Sequence, residues 1–170
     1  VVVLWLSMSV VGRDACKAGD CPVTEDISTR LVRLPFFNGL SERSRYHRFM
    51  QHLPQLPARM LARFTQLDYD RELALVALWQ DQFVAVGRYA PNEDGRSAEF
   101  ALAVADDWQG KGLGHALLER LCQAARAAGY EALLGHILEA NRDMLQLAAH
   151  LGFTEQARDG NEVTVARTLK

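Results

Sequence analysis

The 170-residue sequence lacks an excess of either charge, with 19 basic residues set against 21 acidic ones for a formal net charge of −2. Without a basic surplus, neither nucleic acid nor an anionic membrane surface is an expected partner. No apolar run approaches the ~20 residues that a membrane-spanning helix needs. Cysteine is scarce and odd in number: Cys16, Cys21 and Cys122. No pair has zinc-site spacing, so no metal is expected. A reduced, cytoplasmic setting is the simplest reading of so few cysteines. Internal repeats and low-complexity tracts are missing too. The apolar opening VVVLWLSMSVV has no basic start of the kind a secretory leader carries. Residues 1–23 are expected to be a strand or a loosely ordered arm, set apart from a single domain at 24–170.

What is present suits one core: 49% hydrophobic and 24% charged residues over a length typical of one domain. Thr24-Glu25-Asp26 reads as a helix start, and Pro35 and Asn38-Gly39 as its interruption or end. Ser41 is placed to cap a second helix, SERSRYHRFM. Pro57 opens a third, PARMLARFTQL. ELALVALW and FVAVGRYA form a hairpin across Gln80-Asp81-Gln82, PNEDGRS is a loop, and AEFALAVA is another strand. A helix to about Ala128 follows, with Leu117, Leu118, Leu121, Cys122 and Ala125 on one apolar face. Gly129 stops it. EALLGHIL reads as a buried strand, Asn141 opens a last helix that Gly152 ends, and FTEQAR with EVTVART makes a terminal hairpin. The order predicts an α/β (α+β) fold: a central mixed, mostly antiparallel sheet flanked by helices.

DDWQGKGLGHALLERL, residues 106 to 121, crowds three glycines into five residues at the mouth of a helix. A helix N-terminus presents unpaired N–H groups and roughly +0.5 of an elementary charge, and glycines let an anion come close to them. A strand feeding such a turn makes a phosphate site. A P-loop needs Ser or Thr after Gly-Lys, where Gly112 stands; a dinucleotide fingerprint needs glycine where His115 stands. Gln109-x-x-Gly112-x-Gly114 remains. A glycine-rich turn of this kind can also be a plain tight turn, and Lys111 on it is more often solvated than a ligand.

That pattern resembles the acetyl-CoA signature of the GNAT-type N-acetyltransferases. The resemblance implies a GNAT-like domain in which Gln109, Gly110, Lys111, Gly112, Leu113, Gly114 and His115 surround the pyrophosphate of the cosubstrate acetyl-CoA. It implies that Leu102, Ala103 and Val104 bond the pantetheine arm and that Asn141 contacts the cofactor. LGF at 151–153 matches the family's exit from the last helix. LSERSRYHRF, FTQLDYDRELALVA and AEFALAVADDWQGKGLG are similar to the bacterial protein-lysine acetyltransferases that modify acyl-CoA synthetases. The acceptor implied is an amine, of which a protein lysine is the first choice. The alternatives are a small-molecule amine acceptor or an acyl-CoA-sensing domain without turnover. The N-terminal edge departs from the family, with Cys21-Pro22-Val23 where an Arg-Pro-like motif is usual.

Acetyl transfer needs a neutral amine, and at pH 7 only about one lysine in a few thousand is neutral. A positioned base removes the proton, and an N–H donor meets the oxyanion. By resemblance, Glu99 of the Ala98-Glu99 pair is the candidate base and a backbone N–H near Val104 the oxyanion donor; a solvated strand glutamate is the plain alternative. Many family members carry a tyrosine that protonates the leaving thiolate, and here that position is Ala148. His136 is expected to be a core histidine before it is a second base. Asp68, Tyr69, Asp70 and Arg71 either line the acceptor cleft or serve caps and turns. Arg43, Arg45, His47 and Arg48 are expected to be solvated, or else to read an acidic acceptor surface.

Overall fold

The computed structural model describes residues 2–5, 35–57, 59–60, 71–80 and 82–169. Seven strands form one sheet: β1 (Val2–Trp5), β2 (Leu73–Trp79), β3 (Gln82–Pro91), β4 (Ser97–Val104), β5 (Ala132–Leu138), β6 (Thr154–Asp159) and β7 (Glu162–Thr168). Their spatial order is β1-β2-β3-β4-β5-β7-β6. Every neighbouring pair is antiparallel except β4 and β5. The helices are α1 (Pro35–Gly39), α2 (Glu42–Phe49), α3 (Leu113–Ala127) and α4 (Arg142–His150), with a 3-10 turn at Asp106–Trp108. This is the α/β domain with a mixed, mostly antiparallel sheet that the element order predicts.

The core follows from the two hydrophobic periods. On α3, Leu117, Leu118, Leu121, Cys122 and Ala125 are all buried, as their helical spacing requires. They pack on the sheet face that carries Leu75, Ala85, Leu133 and Val163. Each fully buried leucine contributes ~1.5–3 kcal/mol. An ideal Cβ on Gly87 of β3 would lie 3.1 Å from Leu121 and 3.6 Å from Leu117, so α3 rides close over β3. Because strand side chains alternate, Phe100 and Leu102 face α3 while Glu99 and Ala101 face the other side, toward α2.

Pro35 to Gly39 form the short helix α1, while the stretch before Pro35 that they were expected to interrupt or end lies outside the described residues. A 3-10 turn, Asp106–Trp108, stands between β4 and the glycine turn. EALLGHIL is not buried throughout, because β5 alternates and His136 is exposed. Ser41 caps α2 as expected, accepting from Ser44 N–H at 3.2 Å. Val2–Trp5 pairs with β2 at the edge of the sheet. The rest of the 1–23 arm, the Thr24-Glu25-Asp26 start, most of PARMLARFTQL, Cys16, Cys21, Asp68, Tyr69 and Asp70 lie outside the described residues.

Candidate active site

The sheet parts along one seam. Strands β4 and β5 are paired only from Ser97↔Ala132 to Glu99↔Leu134. Beyond Glu99, β4 stays with β3 as far as Ala85↔Val104, and β5 stays with β7 as far as Leu138↔Glu162. Asn92 N–H donates to Ser97 O at 3.0 Å and Ala105 N–H to Val84 O at 2.8 Å, both toward β3. Odd-numbered residues of β4 therefore spend their backbone groups on β3. Phe100, Leu102 and Val104 turn theirs toward the opening. Ala103 lines the groove, and its backbone belongs to the β3 ladder.

A groove of about 590 Å³ runs from this opening to the start of α3. Of the sequence-derived cofactor residues, Leu102, Ala103, Val104, Gln109, Gly110, Gly112, Gly114, His115 and Asn141 line it. Leu113 does not, since its side chain is in the core. Lys111 does not either: its ammonium sits 4.8 Å over the Trp108 ring, which stacks on Trp79 at 5.4 Å.

The glycine turn fits an anion. Gly112, the residue before α3, has φ of 83°, a left-handed conformation that favours glycine, and no side chain caps the helix. An added Cβ at Gly110 or Gly112 would meet open space. Gly114 instead serves packing, since a Cβ there would lie 3.1 Å from Leu147 of α4. The N–H groups and positive end of α3 thus face the groove and are placed to hold a pyrophosphate.

Gln109 is engaged within the protein. Its Nε2 donates to Val104 O and to Ser44 Oγ, both at 3.1 Å. Ser44 Oγ in turn donates to Asp106 Oδ1 at 2.8 Å, and Ser41 donates to the same carboxylate through its N–H at 2.8 Å and its Oγ at 2.7 Å. Burial pushes the Asp106 carboxyl up, but these hydrogen bonds outweigh it and hold the group below its ordinary range. Asp106, Ser41, Ser44 and Gln109 form a clasp that fastens α2 to the end of β4. In the sequence, Ser41 is legible as a cap, but its partner lies 65 residues away and carries no local signal.

The clasp presents α2 to the site. Arg43, His47 and Arg48 line the groove, so the expectation of a merely solvated basic helix is corrected. Arg45 turns the other way, over the Phe37 ring at 5.4 Å. Burial and the neighbouring Arg88 lower the Arg48 guanidinium to about 10, with Glu99 acting in the opposite sense, so Arg48 stays charged at neutral pH. Burial and Arg43 lower the His47 imidazole, partly offset by Asp143.

Glu99 is exposed on β4 and lines a smaller pocket of about 60 Å³ with Arg48, Ala101, His136 and Ile137. His47, Arg48, Leu102, Asn141 and Met144 line both spaces, so they meet at the seam. Asn141 Oδ1 accepts from Met144 N–H at 3.3 Å and caps α4. Ala148 is buried under α4 and supplies no proton donor. His136 is not a core residue: its Nδ1 lies 2.8 Å from Glu162 Oε1. Among the described residues, no group of three or more His, Cys, Asp or Glu is arranged to hold a metal, and no helix is long and apolar enough to cross a membrane.

A parted mixed sheet with an uncapped, glycine-led helix beside the gap defines a class of acyl-coenzyme A-binding transferases. The model of the acetyltransferase (GNAT) family matches residues 40–153, and the chain belongs to that family of acetyl-CoA-dependent N-acetyltransferases. It is 33% identical over 133 residues to acetyltransferase PA5475 of Pseudomonas aeruginosa, covering 76% of this chain and 71% of that one. The GNAT domain of S. lividans PAT superposes with a TM-score of 0.77 at 31% identity, covering 85% of this chain and 86% of that one. The putative acetyltransferase yncA of Salmonella typhimurium, solved with its cofactor acetyl-CoA, shares the fold at a TM-score of 0.68 and 18% identity, over 86% and 90% of the two chains.

Proposed function

We propose that the chain moves the acetyl group of acetyl-CoA to a lysine side chain of a protein in the cytoplasm, an acyl-CoA synthetase being the first acceptor to try. The amine attacks the thioester directly, with Glu99 as general base. The observation that carries this reading is the seam. The last β4–β5 pair is Glu99↔Leu134, so the carboxylate stands where the open edge begins. Leu102 and Val104 offer backbone groups to the pantetheine arm and, at Val104 N–H, to the oxyanion. Backbone N–H groups between Gly110 and His115 hold the pyrophosphate. The protein-lysine choice is supported by the quoted resemblances and by the likeness to the S. lividans PAT domain. The basic groove face of α2, with Arg43 and Arg48, adds a surface suited to an acidic acceptor.

The test has two stages. Calorimetry with acetyl-CoA should give stoichiometric binding, and free thiol should then appear only when the synthetase is added. Glu99→Gln should cut turnover by about 10²-fold or more and leave acetyl-CoA binding unchanged. An unchanged rate removes Glu99 from the role. Release with small amines but not with the synthetase reassigns the acceptor. Binding without release on any amine makes the domain a sensor.

A further inference from the structure

The reaction removes two protons from nitrogen. One leaves when the ammonium becomes a nucleophilic amine, and one leaves the cationic nitrogen of the tetrahedral adduct before it collapses to an amide. One carboxylate does not account for both. Position 148 on α4, facing the core, is alanine and has no proton to give.

The seam holds a second group. His136 and Glu99 lie on the same sheet face, because Glu99 is in register with Leu134 and His136 follows two residues on. Both line the 60 Å³ pocket. On the other side of β5, His136 is in register with Thr164, and Glu162 lies two residues before it on β7. Glu162 Oε1 is 2.8 Å from His136 Nδ1, and Thr164 Oγ1 is 3.3 Å from the same nitrogen. A carboxylate only accepts, so the Nδ1 proton is directed at Glu162 and the neutral ring keeps its lone pair on Nε2. The side chains are about two-fifths exposed, 37% for His136 and 38% for Glu162. The ring is therefore oriented by a partner yet reachable.

We propose that His136 is a second catalytic residue, oriented by Glu162, for the transfer reaction assigned above, on which this inference rests. Glu99 takes the first proton from the ammonium and releases it to water. The amine forms the C–N bond, and His136 Nε2 takes the second proton from the adduct nitrogen. The C–S bond then breaks, and the imidazolium gives that proton to the departing sulfur. The charged and titratable groups around the ring are Glu99 on β4, His47 and Arg48 on α2, and Glu162 on β7; α4 contributes only the neutral Asn141 and Met144 to the pocket.

The test measures thiol release with acetyl-CoA and, as acceptor, the acyl-CoA synthetase and then a lysine-containing peptide or simple primary amine in excess. Intact chain that releases no thiol with any amine overturns the transferase reading and this inference with it. Given turnover, His136→Ala should lower kcat by about 10²-fold, leave acetyl-CoA binding unchanged, and recover in part when imidazole is added. Glu162→Gln should lower kcat less and shift the pH profile, because the ring loses its orienting partner. A purely structural histidine gives no imidazole rescue. Undiminished turnover in His136→Ala, or a loss that imidazole does not restore in a variant that still binds acetyl-CoA, overturns the assignment while leaving the Glu99 reading intact.

Discussion

Removing the Asp106 carboxylate probes the clasp that fastens α2 over the site. Asp106 accepts from Ser41 N–H, Ser41 Oγ and Ser44 Oγ at 2.7–2.8 Å. A hydrogen bond to a charged group nets ~1.5–3 kcal/mol when well shielded. These three are exposed, so water replaces part of each, and the Ser41–Ser44 cap remains. Asp106→Ala is thus expected to cost ~1–2 kcal/mol in urea unfolding at pH 7. The pH dependence has a definite sign. The folded carboxyl lies below its ordinary value, so the contribution is fully present above the unfolded value of ~3.9 and is lost as pH falls through the lower folded value. Wild type and variant should therefore converge in stability below about pH 4. Since α2 carries His47 and Arg48 into both pockets, the variant should also raise the KM for acetyl-CoA several-fold. Equal stability at pH 7 would show that the clasp contributes nothing, and a gap that persists unchanged into acid would show that its contribution does not depend on the carboxylate's charge.

Three other outcomes follow from local geometry. An alanine Cβ at Gly135 would stand 2.3 Å from the Phe100 ring, so Gly135→Ala should lower stability by ~1–3 kcal/mol or more; Phe100→Leu in the same chain should recover part of it by calorimetric Tm. Gly112→Ala meets no clash but must hold a φ of 83°, so it should cost ~1–2 kcal/mol and weaken acetyl-CoA binding in calorimetry. Cys122 is buried, and burial pushes its thiol up despite Arg167, so in a Cys16→Ser, Cys21→Ser background it should react with a thiol reagent only on unfolding.

The sequence carries those parts of the site that depend on contiguous residues. The α3 face was legible because five apolar side chains repeat at the helical period, and the glycine turn because only glycine tolerates its backbone next to an anion. The strands and the terminal hairpin were legible from alternation and from Asp159-Gly160-Asn161. What stayed hidden depends on pairing across the chain. His136 sits in an apolar run and reads as core until β7 is placed beside it and Glu162 is seen at 2.8 Å. Arg48 looks solvated until Asp106 is seen tying α2 over β4. Pro35 and Asn38-Gly39 read as helix breakers, yet Pro suits a first helical turn and Gly an end, so they bound a helix of five residues.

The seam ties these observations together. β4 and β5 are the sole parallel neighbours in the described sheet, paired from Ser97↔Ala132 to Glu99↔Leu134, while each is registered with its antiparallel partner well beyond that point. Where the two allegiances diverge, Phe100 lays its ring over Gly135 and against Phe153 at 5.2 Å, filling the space beneath the split with apolar packing. The split itself is left polar. Leu102 and Val104 keep backbone groups turned outward, and Gln109 takes up only the Val104 carbonyl. A sheet edge left open in this way needs a partner for its hydrogen bonds. In the function proposed above, an extended, amide-bearing chain such as pantetheine supplies them and brings a thioester beside Glu99 and His136. The shortest strand pairing of the described sheet is thus, in that reading, the feature that gives the domain a place to do chemistry.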